Sequence, residues 1–161
     1  MPRPLTREEL HERLVEALAA MPTTYNGRDL QQLDGDAWHH EPRILAETVE
    51  DVAAPLDHLA FSLEFARGTR GAGQRVGAPR IAVVEGAVHF SFHVRPDEDL
   101  QLQDYRRAMT AAELVAHTLE GGWHAGAAVV EVTTDWDPRV LPGQPTLVSP
   151  VRFTLTHDRV V

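Results

Sequence analysis

The sequence has no cysteine, which excludes a disulfide framework, an iron–sulfur cluster and any thiolate zinc site. It has no lysine either; all 15 basic residues are arginine. Arginine's planar fork suits bidentate contacts at interfaces, although a GC-rich coding sequence accounts for the same usage more simply. No apolar run approaches the roughly 20 residues that cross a bilayer. The opening Met-Pro-Arg-Pro-Leu-Thr leads into a charged segment without the apolar stretch of a signal peptide. The expectation is a protein kept in a cytoplasm, with no membrane partner. Catalytic signatures are missing too: there is no G-x-S-x-G elbow, H-E-x-x-H pair or P-loop. Gly71-Ala-Gly73 lacks the third glycine and the following helix of a dinucleotide fingerprint. Neither an enzyme nor a cofactor is expected.

Hydrophobic residues make up 43% of the 161 and charged residues 24%, the balance of a folded globular chain. That length fits a single domain over 1–161, burying roughly 70% of the surface its unfolded chain exposes. The net charge of −9 argues against general binding along nucleic acid, which needs clustered positive charge to displace counterions.

The pattern along the chain predicts an α+β fold. A helix is expected over Thr6–Ala20, opened by a Thr6/Glu9 capping box and carrying Leu10, Leu14, Val15 and Leu18 on one stripe. Met21-Pro22 ends it. Asn26-Gly27 and Asp34-Gly35 mark turns, and Ile44–Val52 fits a short strand or a helical segment equally. Leu59, Phe61, Leu63 and Phe65 alternate as a strand. Arg80–Val84, Glu85-Gly86 and Ala87–Val94 have the form of a β-hairpin with its turn at the glycine. A long helix over about Gln103–Leu119 repeats Tyr105, Ala108, Met109, Ala112, Val115, Ala116 and Leu119 at spacings of three and four, and stops at Gly121-Gly122. Ala128–Thr133 and Val151–His157 add strands. The sum is a mixed or antiparallel sheet packed by an N-terminal helix and one long central helix.

Between the strands, Arg67–Gly77 holds four glycines and three arginines. It has too few apolar residues to pack, so a flexible Arg/Gly-rich loop is expected over 67–80. The other polar clusters have simpler explanations. His89 and His93 share a strand face but stand roughly 13 Å apart by strand rise, too far for one ion; His39-His40-Glu41 lies elsewhere. Asp135 and Asp137 flank Trp136, and the following Pro138 makes turn chemistry the better account.

The order of elements carries a resemblance. The strand Val88–Val94, the acidic Asp97-Glu98-Asp99 turn, the helix Tyr105–Leu119, a further strand, a loop rich in Asp and Pro, and Pro150–His157 closing the sheet resemble tail terminator (tail completion) proteins of long-tailed bacteriophages. The N-terminal helix before an irregular stretch fits the same plan. The likeness is one of pattern, from about Leu59 onward, with no invariant motif. It implies a virion structural protein forming a hexameric ring that caps the tail tube, ends tube polymerisation and joins the tail to the head. The implied partners are further copies of the chain, the tail tube protein and the head–tail connector protein, with DNA passing through the ring without sequence-specific binding. The implied location is the head-proximal end of the virion tail, and the host cytoplasm during assembly. On this reading Arg67, Arg70, Arg75 and Arg80 contact a neighbour or the lumen. A head–tail adaptor or other ring component is the alternative within that class, and a small His-dependent metalloenzyme the alternative outside it.

Overall fold

The computed structural model describes residues 5–45, 56–70, 81–121, 128–133, 136, 138–141 and 145–158. Helix α1 spans Arg7–Ala19, and its start is the capping box expected from sequence: Glu9 N–H donates to Thr6 Oγ1, and Thr6 N–H to Glu9 Oε2. Leu10, Leu14 and Leu18 form its buried stripe. The pair Asn26-Gly27 turns between β1 (Thr24–Tyr25) and β2 (Arg28–Asp29) with positive φ at both residues, 50° and 74°, the primed turn that right-twisted strands prefer.

The main sheet has six strands among the described residues, with β3 (His39–His40), β4 (Ala60–Arg70), β5 (Ile81–His93), β8 (Thr146–Asp158) and β6 (Ala128–Val132) side by side and β7 (Arg139–Val140) also on β8. Only β3 runs parallel to its neighbour; the β4–β5, β5–β8 and β6–β8 pairs are antiparallel. The fold is therefore α+β with a mixed sheet. On one sheet face Phe61, Leu63, Val88, Phe90, Val151, Phe153 and Leu155 join the stripes of both helices in the main core. Trp38 stands edge-on to Phe90, with ring centroids 6.0 Å apart. On the other face Ile44, from the 3₁₀ turn Pro42–Leu45, packs with Leu56, Ala60, Leu141 and Val148.

Three sequence-based expectations change. First, Glu85-Gly86 is no hairpin turn: β5 runs unbroken through it and pairs with β8 along its whole length. Gly86 is required by crowding instead. A Cβ there would lie 2.6 Å from the Glu64 carbonyl oxygen and 2.6 Å from Phe153 Cζ, so the missing side chain lets the Phe153 ring lie over the strand. The register shift between Phe65 and Gly68 follows at once, a bulge that bends β4. Second, β4 continues to Arg70, so residues 67–70 belong to a paired strand and the expected loop begins later; residues 71–80 lie outside those described. Third, the long helix α2 spans Glu98–Glu120, and the acidic turn is its start: Asp97 is the N-cap, accepting from Asp99 and Leu100 N–H. Its buried side comprises Ala108, Ala111, Leu114, Val115 and Leu119, while Met109 is exposed. Pro150, within β8, falls between the stretches that β6 and β7 pair, where a missing N–H costs no bond on that side.

One polar contact fixes α2 on the sheet. Asp104 is fully buried and takes three bonds from Arg95, just past the end of β5: backbone N–H at 2.8 Å, Nε at 2.9 Å and Nη2 at 2.7 Å. Burial pushes the Asp104 carboxyl up, but these bonds and the Arg95 charge outweigh it and hold it below its ordinary value.

Gly86→Ala is expected to destabilise the domain by about 1–3 kcal/mol, because a backbone carbonyl or the Phe153 ring must shift; urea unfolding measures it. Arg95→Leu strands a buried carboxylate and is expected to cost about 3 kcal/mol, the low end for a broken buried pair because Arg95 keeps some water contact. The pair's contribution is present above the ordinary carboxyl pKa of about 3.9 and disappears as pH falls below it. Acid unfolding below about pH 4 should therefore be blunted in Asp104→Asn.

Candidate functional site

The residues singled out by sequence fall in three places. Arg67 lies in the β4 bulge and Arg70 opposite Ala82, both on a strand at the outside of the sheet; Arg75 and Arg80 lie outside the described residues, as do Asp135 and Asp137. Trp136 between those two aspartates packs half-buried against the main core. His89 and His93 do share a sheet face, but each has its own partner. His89 Nε2 meets Glu64 Oε2 at 3.1 Å, and His93 Nε2 donates to the Leu56 carbonyl at 2.7 Å. His40 lies against the Phe61 ring, and burial lowers its pKa. Among the described residues no three His, Asp or Glu side chains are grouped so as to hold a metal ion.

Two features stand out as surfaces. The first is the pair of sheet edges. On its outer side β4 pairs with β3 only at Ala60 and Phe61, and from Ser62 to Arg70 no strand flanks it there among the described residues. At the other margin β6 likewise has β8 on one side alone. Backbone donors and acceptors along such edges are a template for another strand.

The second is a corner where the chain enters β4. Segment 56–59 is fastened to the end of β5 by four hydrogen bonds. His93 Nε2 reaches Leu56 O, Ser91 Oγ donates to Asp57 O at 2.6 Å, Leu59 N–H donates to Ser91 O at 3.0 Å, and His93 N–H donates to His58 Nδ1 at 3.0 Å. The last bond fixes a tautomer. With Nδ1 accepting, the proton sits on Nε2, which donates to Leu30 O at 2.7 Å. His58 thus bridges β5 to the turn that follows β2, and that turn is tied to the same strand end by Gln32 Nε2 donating to His93 O at 2.6 Å. Leu59 is buried with φ +59°, a left-handed conformation that costs a leucine about 1–2 kcal/mol. The four bonds hold it there.

An open hollow beside this corner is lined by Gln32, Leu33, Asp36, His39, Asp57 and His93. Asp36 closes the turn by accepting from Gln32 and Leu33 N–H. Burial raises its carboxyl, the two bonds lower it, and the balance lies below the ordinary value. His39 Nδ1 donates to Ala37 O at 3.0 Å, which leaves its buried Nε2 without a hydrogen bond, 3.5 Å from Asp57 Oδ2. Sequence reasoning missed this corner. His58 belongs to no motif, and its partners come from positions 30, 56 and 93, so nothing local announces it.

Neither a protein-family model nor a curated protein sequence matches the chain.

The two strand histidines should respond differently to truncation. His93→Ala is expected to lose about 1–2 kcal/mol, since the Leu56 carbonyl loses its donor. His89→Ala, which removes a partly exposed hydrogen bond to Glu64, should lose less than about 0.5 kcal/mol. Paired thermal melts at pH 7 measure both.

Proposed function

We propose that this protein is a virion structural component that assembles through its sheet edges into a ring, as a tail terminator does at the head-proximal end of a phage tail. On this reading the ring has six copies, ends tube polymerisation and meets the head–tail connector, without catalysis. The observation that carries the proposal is a pair of edges at opposite margins of one sheet that no strand flanks among the described residues.

Strand direction makes those edges compatible with each other. From β4 through β5 and β8 to β6 every pairing is antiparallel, so the two edge strands run in opposite directions. Rotating a copy about an axis along the strands preserves direction. The β6 of one copy then meets the β4 of the next antiparallel, the more stable ladder. Such a contact is heterologous, and heterologous contacts close into rings when the rotation allows. Residues 71–80 join β4 to β5 in sequence, and on this reading they contact a neighbour or the lumen.

Size-exclusion chromatography with light scattering tests the proposal. The expected result is a species of six times the monomer mass, and a monomer across micromolar to millimolar concentrations overturns it. Replacing 71–80 by a short Gly-Ser turn should lower the ring fraction at least tenfold while leaving the monomer's melting temperature unchanged. Full rings from that variant would remove the loop from the interface.

A further inference from the structure

We propose that the His58–His93 joint is a proton-operated latch: acidification releases segment 56–59 and the turn after β2 from the end of β5. The latch is a property of this fold alone and stands apart from ring assembly.

The geometry leaves His58 no way to take up a second proton in place. Its Nε2–H is committed to Leu30 O, and its Nδ1 accepts from the His93 backbone N–H. A proton on Nδ1 would set two donors against each other at 3.0 Å, so either the ring turns or the strand end moves. The His58 ring is packed edge-on to Phe92, with ring centroids 4.4 Å apart, and lies 5.4 Å from the His93 ring, and turning it in place would not restore an acceptor, since both nitrogens of the protonated ring are donors. Separation is the remaining response. It breaks the bond to His93 and loads the other three bonds that fasten 56–59. The left-handed Leu59 is held by that same set, so its relaxation favours the opened state.

The groups around His58 set the window. Burial pushes the His58 imidazole below its ordinary value; the Leu30 carbonyl opposes this, the neighbouring His93 adds to it, and Asp36 in the turn and Asp104 on α2 oppose it. A histidine depressed in the folded state binds its proton more readily when unfolded or released. Latch stability is therefore full above the ordinary value of about 6.5 and declines as pH falls below it. On the β3 side, His39 Nε2 stands 3.5 Å from Asp57 Oδ2, with its Nδ1–H held by Ala37 O. Acid thus weakens the hold of β5 on segment 56–59.

Amide hydrogen exchange by NMR on the intact chain at pH 7.5 and 5.5, corrected for the intrinsic pH dependence, tests the latch. Protection of the His93 and Leu59 amides is expected to fall by up to about tenfold between these two pH values, since pH 5.5 lies about one unit below the ordinary histidine value, while amides in the middle of β5 and β8 keep theirs. In His58→Gln, whose amide can accept and donate at the same two places without titrating, the fall should vanish. Ring ¹⁵N shifts of the wild-type protein give a second readout that needs no variant. His58 should be the Nε2–H tautomer at pH 7.5, and its protonation should track the loss of His93 amide protection. Unchanged protection in the wild type, an equal fall in His58→Gln, or His58 titrating while the His93 amide stays protected would each overturn the proposal.

Discussion

Asp104 is shut off from water inside a helix, and an ionised carboxylate in that position is tolerable because Arg95 meets it with three donors and Arg107 lies 3.9 Å away. The placement of the pair matters more than its net energy. Arg95 sits two residues past the end of β5, and Asp104 lies within the first two turns of α2. Together with the Asp97 cap, the bond sets where the helix starts and which way it points. The buried row from Ala108 to Leu119 then falls on the sheet face carrying Phe90, Val151 and Phe153. A second tie comes from the opposite direction, where Arg28 Nη1 donates to the Arg106 carbonyl and to Thr110 Oγ1. The small β1–β2 hairpin is thereby docked on the helix, and the turn following it, with Leu30 and Asp36, reaches the corner at His58.

How much of this is legible in the sequence depends on distance along the chain. Thr6 and Glu9 announce the start of α1 because the capping box closes over three residues. Asn26-Gly27 announces its turn because both positive φ angles belong to the pair itself. Alternation in Leu63, Phe65, Val151 and Phe153 identifies strands because one face is buried and the other is not. Gly86 is misread for the converse reason. Its crowding comes from Glu64 and Phe153, residues far away in sequence, and a glycine between two alternating runs has the same local signature as a turn. Met109 is misassigned because a wide apolar stripe does not say which margin faces water, and the rotation of α2 is set by Asp104, a polar residue that periodicity counts as surface. His58 carries no local signal at all.

The edges invert this logic. Sequence attention goes to the arginine–glycine segment because packing cannot explain it, and the first part of that segment proves to be strand: Arg67 lies in the bulge and residues 68–70 pair with β5 beyond it. Two of the four candidate arginines therefore lie on a margin of the sheet that no strand flanks among the described residues. A bulge and charged residues on an edge strand discourage indiscriminate pairing, while a partner strand of opposite direction is still admitted. Specificity of this kind comes from excluding wrong partners as much as from contacts with the right one.

The two buried ionic features are separated by pH. Asp104 keeps its charge until well into acid, because Arg95 outweighs the effect of burial. His58, also buried, has only a carbonyl and more distant carboxylates to favour a charge, and burial prevails. The same physical cost therefore gives opposite outcomes according to whether a fixed cation is within hydrogen-bond reach. Mild acid reaches the corner at the entry to β4 while the anchor of α2 stays intact. Since α2 and the middle of β5 and β8 form the main core, the corner can open without unfolding the domain.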